Sequence, residues 1–143
     1  MQYYLCDTGN PLYNLPIHWH IEYEIVHILK GTYMMFVGNH EVELKEGDVC
    51  FVTDGMLHGD GRKKERSRYE SVVFNMEMLR MQNYSQDIFI SDLITHKSII
   101  NTLIPREKTD ETSALQRFFQ TMRDKPDGYE LMAAGAMIEF LGM

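Results

Sequence analysis

Histidine and glutamate residues occur in this sequence at a spacing that could bind a metal ion. The set comprises three histidines and one carboxylate: His18, His20, Glu24 and His58. Neutral imidazole and anionic oxygen together suit borderline divalent ions, so the set predicts a site for Zn, Ni, Mn or non-haem Fe. On a regular strand, His18 and His20 project from one face with Cα atoms about 6.6 Å apart, which allows them to share an ion.

Glu24 imposes a condition on this prediction. On an unbroken strand it would stand about 20 Å from His18, beyond the reach of two side chains to one ion. The metal site therefore requires a bend or a bulge between His20 and Glu24.

The elements that must position these residues are predicted to be strands. From Ile17 to Asn75, short apolar runs are interrupted by glycine every six to ten residues, as in antiparallel strands joined by tight turns. The predicted strands are Ile17–Leu29, Thr32–Val37, Glu41–Leu44, Val49–Thr53 and Arg68–Asn75. Large side chains such as Phe36 and Phe51 are expected to fill a small barrel, and Tyr33 is expected to line its pocket.

The sequence pattern changes after Asn83. Apolar residues between Leu93 and Ile104 suggest a helix that ends before Pro105, because proline disfavours helical conformation in the preceding residue. A second helix is predicted from Thr109, with Leu115, Phe118, Phe119 and Met122 on its buried face. In a third helix, opened by a capping box at 127–130, the apolar stripe continues through four further residues, Leu131, Ala134, Ile138 and Leu141.

Composition excludes several classes of function. The chain has 143 residues, with 14 Lys and Arg against 21 Asp and Glu, and a formal charge of −7. This charge argues against direct binding of nucleic acid, which needs excess Lys and Arg to displace counterions from phosphates. Cys6 and Cys50 stand far apart without a CxxC pair, which predicts free thiols in a cytoplasmic protein. No segment approaches the roughly 20 apolar residues of a membrane span.

The histidine spacing resembles the two motifs of the cupin superfamily. The first motif is His18-x-His20-x-x-x-Glu24 followed by Gly31, and the second runs from Gly47 through 53–55 to His58. The resemblance implies a jelly-roll barrel with these histidines and the glutamate as metal ligands. The sequence departs from the motifs at three positions, which are occupied by Leu12, Thr53 and Arg62.

The segments around the motifs are similar to the N-terminal sensing domain of AraC-type transcriptional regulators. The similar segments are 18–25, 29–31, 44–48 and 56–58. The resemblance implies a mainly β fold, with a cupin barrel over residues 1–84 and a helical segment over residues 85–143 that packs on the barrel, dimerises, or does both. A small polar effector, a sugar or an organic acid, would contact His18, His20, Glu24, Tyr33 and His58, with or without a divalent metal.

The same resemblance implies a homodimer formed through the C-terminal helices and a regulator without enzymatic activity. DNA would be bound only through a C-terminal helix-turn-helix domain, which these 143 residues leave no room for, and no membrane would be involved. The alternative is a free-standing metal-dependent cupin enzyme, a dioxygenase or an isomerase. The intact ligand set favours the enzyme, whereas the helical segment and the regulator-like motifs favour the sensing domain.

Overall fold

The computed structural model describes residues 1–63, 65–81 and 84–143, so Asn83, after which the sequence pattern changes, lies outside the described residues. Strands and helices follow one another in chain order. The strands are β1 (Gln2–Asp7), β2 (Tyr23–Val37), β3 (His40–Lys45), β4 (Val49–Val52), β5 (His58–Asp60), β6 (Ser67–Phe74) and β7 (Leu103–Ile104). The helices are a 3₁₀ turn (Met76–Leu79), α1 (Asp87–Ile94), α2 (Thr109–Asp124) and α3 (Tyr129–Leu141).

Strand β2 belongs to both halves of an antiparallel barrel. Its first half pairs with β4 and β6 in a first sheet, ordered β1-β6-β2-β4-β7, and its second half pairs with β3 and β5 in a second sheet. The pairing register with β6 shifts between Ile28 and Lys30, and Gly31 follows with a φ of +77°. The predicted division into two strands, Ile17–Leu29 and Thr32–Val37, is therefore wrong, because the left-handed Gly31 bends one strand from the first sheet into the second without turning it back.

Alternate residues of the strands face two separate hydrophobic cores. The first core lies between the first sheet and the helices, where Ile25, Phe51 and Val72 pack with Phe118 and other residues of α2 and α3. The second core lies between the two sheets and contains nine buried residues, which are Val26, Ile28, Tyr33, Met35, Val37, Leu44, Cys50, Val52 and Tyr69. Phe36, predicted to be in the core, is instead only half-buried, because its neighbours Met35 and Val37 are the residues that point inward.

The helical half corrects two predictions. The predicted helix before Pro105 ends at Ile94, and Leu103–Ile104 form β7 beside β4 because this two-residue apolar run completes the edge of the first sheet. Helix α2 has the predicted buried face. In α3, however, the buried residues are Ala133, Met137 and Phe140, whereas Leu131 is 82% exposed. This helix is apolar on nearly every side, so the sequence does not identify its inner face.

The predicted capping box at 127–130 does not form. The N-cap of α3 is Gly128, with a left-handed backbone and no side-chain hydrogen bond. Both cysteines are free, as predicted. Among the described residues, no helix is long and apolar enough to span a lipid bilayer.

Candidate functional site

His18 and His58 are brought together by a backbone bridge. The amide of His18 donates to the carbonyl of His58 at 2.9 Å, and the amide of His58 donates to the carbonyl of His18 at the same distance. The segment containing His18 and His20 lies outside β2, so the predicted strand from Ile17 is wrong over its first six residues. The chain bends at Ile21 and Glu22 before β2 begins. This bend between His20 and Glu24 is the one that a metal site requires.

The four predicted ligand residues form one cluster. The ring centroid of His58 lies 4.3 Å from that of His18 and 4.7 Å from that of His20. One ring nitrogen from each of the three histidines lies within 4.8 Å of the others. The Glu24 Oε2 atom lies 2.9 Å from Nε2 of His58 and 3.3 Å from Nε2 of His20. Glu24 therefore contacts two of the three imidazoles directly.

Backbone carbonyls fix the tautomer of all three imidazoles. The Nδ1 atom of His18 lies 2.7 Å from the carbonyl of Pro16, and the corresponding distances are 2.9 Å from His20 to Glu22 and 2.8 Å from His58 to Met56. A carbonyl can only accept, so each Nδ1 carries a proton and donates it. In a neutral ring this leaves the Nε2 lone pair free, which is the arrangement found in histidines that bind metals.

The electrostatics of the cluster call for a positive charge between Glu24 and the imidazoles. Burial lowers the pKa of His58, but its hydrogen bonds to Glu24 and to the Met56 carbonyl outweigh burial, so the pKa is raised from its ordinary value. Burial likewise acts to raise the pKa of Glu24, and the hydrogen bond and charge of His58 lower it overall. A divalent cation bound between them would supply this charge.

Tyr33, the fifth predicted site residue, belongs to a different polar cluster in the same core. Its hydroxyl donates to Oδ1 of Asp60 at 2.8 Å, and the hydroxyl of Tyr13 donates to the same atom at 2.7 Å. The Tyr69 hydroxyl lies 2.8 Å from that of Tyr13, and the Tyr69 ring stacks on Tyr33 with centroids 4.8 Å apart. No hydrogen bond joins this cluster to the histidines within the described residues.

Tyr13, Asp60 and Tyr69 were not predicted to belong to a site. One signal could have identified Asp60, since it lies two residues after His58 and a strand places such residues on the same face. Tyr13 has no comparable signal, because it lies in a loop before the first histidine.

Cys50 lies near the cluster but is not expected to serve as a thiolate ligand. Its side chain is fully buried, and burial, together with the charge of Glu24, raises the pKa of the thiol to about 12. A thiol with such a pKa stays protonated near neutral pH, whereas metal binding and nucleophilic attack need the thiolate.

A cavity lies away from this chemistry. It has a volume of about 340 Å³ and lies between α1, the β7 region and the ends of α2 and α3, with Phe89, Leu93, Ile99 and Phe140 among its lining residues. Its lining mixes apolar side chains with polar ones such as Asn101, Lys108 and Glu111, and it contains none of the clustered imidazoles. The barrel cluster therefore remains the candidate site.

Comparison with known protein families gives a match that covers almost the whole chain. Residues 4–141 match the AraC-like ligand-binding domain. The chain belongs to this family. Its fold class is thus confirmed as mainly β, with a cupin-type barrel followed by C-terminal helices, and its family supports a sensing domain of the AraC type.

Individual relatives either align with less than half of this chain or have low sequence identity to it. An uncharacterised HTH-type transcriptional regulator from Bacillus subtilis (strain 168), YdeC, is 41% identical over 62 residues, which cover 43% of this chain and 21% of the regulator. The alignment thus spans about a fifth of that relative. An RmlC-like cupin family protein from Methanocaldococcus jannaschii aligns with a TM-score of 0.40 and 15% identity, covering 54% of this chain and 71% of that one.

Oxalate decarboxylase from Bacillus subtilis is also structurally similar. It aligns with a TM-score of 0.37 and 20% identity, covering 41% of this chain and 17% of that one.

Proposed function

We propose that this AraC-like domain binds a small polar effector, a sugar or an organic acid, at His18, His20, Glu24 and His58. Binding would favour one of two arrangements of the domain, and this population shift would change how attached DNA-binding modules are presented. The observation that carries the proposal is the convergence of three imidazoles with the same fixed tautomer around one carboxylate. No enzymatic step is needed for this function.

A divalent metal ion is part of the proposal. The donor set fits such an ion, since three neutral imidazoles and one carboxylate suit Zn, Ni, Mn or Fe(II). His18, His20 and His58 would bind it through Nε2 and Glu24 through its carboxylate. When bound, the ion would supply positive charge that attracts a carboxylate or hydroxyl oxygen of the effector.

Tyr33 enters the proposal as a second polar wall of the same core. Its hydroxyl and that of Tyr13 already donate to Asp60, so an effector that reaches this end would have to exchange hydrogen bonds with this cluster. Replacing Tyr33 with Phe would then alter effector selectivity without removing the metal ligands.

The remaining parts of the proposal concern the whole regulator. The barrel of residues 1–84 is the sensing unit, and the helical segment of residues 85–143 joins two copies in a homodimer in the cytoplasm. The exposed side of α3 favours this role, because Leu131 and Met132 are 82% and 52% exposed. DNA would be bound by a separate C-terminal domain.

The test is to measure metal and effector binding in parallel. Tag-free protein is dialysed against Zn²⁺, Ni²⁺, Mn²⁺ or Fe²⁺, and thermal shift then screens sugars and organic acids with and without each ion. We expect one ion per chain in the wild type, none in His58→Ala, and effector stabilisation that the His58→Ala variant loses. Effector binding that persists unchanged in a variant lacking all four residues would contradict the site.

The same four residues also support the metal-dependent cupin enzyme as a second candidate. Product formation from an organic acid or sugar incubated with the metal-loaded protein would favour the enzyme. Saturable binding with no turnover would favour the sensor.

A further inference from the structure

The backbone segment that carries His18 and His20 is joined to β5 by the isolated His18–His58 bridge, and its other side is unpaired within the described residues. Its inward hydrogen bonds run to the β5 side, where His18 pairs with His58 and the carbonyl of His20 accepts from Gly55 at 2.8 Å. In an antiparallel ladder, alternate residues direct their amide and carbonyl groups to the other side. Within the described part of the chain, the backbone groups of Ile17, Trp19 and Ile21 form no hydrogen bond. Their donors and acceptors are therefore available to another strand.

Large apolar side chains line this edge and face solvent. Ile17 is 50% exposed, Trp19 is 62% exposed and Ile21 is 74% exposed. Leu57, which the His18–His58 bridge places opposite Trp19, is 43% exposed. Exposure alternates along the segment, so the two half-buried histidines face the cluster with His58 and these three side chains face solvent. We call Ile17, Trp19 and Ile21 the outer strip.

The absence of charged residues beside the outer strip permits a second copy of this chain to approach it. Two copies of a protein with a net charge of −7 repel each other over most of their surfaces. The stretch from Thr8 to Ile21, however, contains no Lys, Arg, Asp or Glu. Two copies can therefore approach along the outer strip without bringing like charges into contact.

The sequence of the strip matches itself under two-fold symmetry. The segment Ile17-His18-Trp19-His20-Ile21 reads the same in both directions. In an antiparallel pair centred on Trp19, each Ile17 faces Ile21 of the second copy, and the two Trp19 residues face each other. A two-fold interface requires such a self-complementary surface. The residues with free backbone groups are also the ones that this register pairs.

We propose that the outer strip is a docking surface for a second copy of this chain, paired antiparallel about Trp19. This interface is distinct from the helical dimer of the proposed function and does not depend on it. The histidines of the site lie on the opposite face of the same segment, so the interface and the ligand cluster share one backbone.

Cysteine cross-linking tests the register. All variants carry Cys6→Ser, and the buried Cys50 is retained. Residues directly opposite in a hydrogen-bonded antiparallel pair have Cα atoms about 5.5 Å apart, within the range of a disulfide. A mixture of Ile17→Cys and Ile21→Cys proteins should therefore form mixed covalent dimers on mild oxidation. Each protein alone should not, because identical positions would lie about 14 Å apart.

Association measurements provide the second test. Trp19→Lys would place two like charges opposite each other, and we expect sedimentation analysis to show association across the strip weakened at least about tenfold. The control is Leu12→Lys, since Leu12 lies in the same uncharged stretch, is 91% exposed and is outside the strip. Circular dichroism checks that both variants are folded.

Two outcomes would overturn the proposal. One is a mixture that cross-links no faster than its separate components, and the other is Trp19→Lys protein that associates as the wild type does. The variant Leu131→Lys reports on the helical interface separately. A loss of association in Leu131→Lys alone would support the helical dimer and reject the strip.

Discussion

At the scale of single residues, the site depends on hydrogen bonds that orient the imidazoles. Three Nδ1–H groups donate to carbonyls within two residues of their own position, so the rings are oriented by local backbone. Glu24 comes from β2 and closes the cluster from the other side. Side chains held in this way lose little entropy when they bind an ion or an effector.

Removing the charge of Glu24 should weaken metal binding. Glu24→Gln preserves the shape of the side chain but replaces an anionic ligand with a neutral one, so we expect the affinity for Zn²⁺ to fall more than about tenfold. Equilibrium dialysis measures this change. The matched control is Glu22→Gln, because Glu22 lies in the same segment with a side chain that is 44% exposed. Equal losses in the two variants would show that net charge, and not ligation, attracts the ion.

The tyrosines of the second core should titrate only in strong alkali. Burial raises the pKa of Tyr13, Tyr33 and Tyr69 above the ordinary value of 10. For an acid whose pKa is raised on folding, stability is constant below the unfolded-state pKa and falls as the pH rises above it. We expect the free energy of unfolding to decrease above about pH 10. The ultraviolet absorbance of phenolate should lag in pH, appearing at higher pH in the folded protein than in the unfolded chain. In Tyr33→Phe the lag should be smaller, and an unchanged lag would contradict this assignment.

At the scale of elements, the bent strand β2 connects the site with the rest of the barrel. A Cβ atom on Gly31 would lie 2.5 Å from the carbonyl oxygen of Arg66, in a backbone conformation that L-residues rarely adopt. The strand can therefore pass from one sheet to the other only with glycine at this position.

Gly31→Ala should destabilise the protein strongly. Positive φ alone costs a residue with a Cβ about 1–2 kcal/mol, and the clash with a backbone oxygen adds to this cost. Urea denaturation should show a loss above about 2 kcal/mol. Gly38→Ala is the control, because Gly38 also has a positive φ, of +66°, but has no atom within 4 Å of the added methyl group, so only the conformational cost remains. Similar losses at the two positions would exclude the clash.

The elements differ in how far the sequence could predict them. The ligand set and the bend before Glu24 follow from spacing, because residue types and strand geometry constrain both. Strand β5 has only three residues, His58–Asp60, and no apolar alternation, so its pairing depends on β2 and cannot be found locally. The cluster around Asp60 depends in the same way on tertiary contacts, since Tyr13 and Asp60 are separated by 47 positions.

At the scale of the whole molecule, the helical layer is attached to the barrel by packing and by one buried charge. Glu70 on β6 is fully buried and accepts two hydrogen bonds from Arg123 of α2, at 2.6 and 2.9 Å. Nearby, His27 of β2 stacks on Phe119 of α2 with centroids 5.2 Å apart. Strand β2 thus contacts α2 through His27, three residues after Glu24.

Breaking this ion pair should destabilise the attachment of α2. Arg123→Met leaves a buried carboxylate without its cation, and because Arg123 is itself about half exposed we expect a loss of about 1–3 kcal/mol. Chemical denaturation measures the loss. Arg117→Met is the matched control, since the Arg117–Glu139 pair has an equally short 2.6 Å contact but lies exposed on both sides and should contribute less than about 1 kcal/mol. A loss in Arg117→Met as large as in Arg123→Met would contradict the role of burial.

Trp19 is the single tryptophan of the chain, and the residues on either side of it are two of the four candidate ligands. The protein therefore contains its own optical reporter. The indole is largely in water, and its emission depends on how the adjoining backbone is held. Binding of a metal ion or effector in the barrel and pairing of the outer strip should change this emission in different ways. Binding acts on the histidine side of the backbone, whereas pairing covers the indole itself. Both equilibria can then be followed in unlabelled protein in one cuvette.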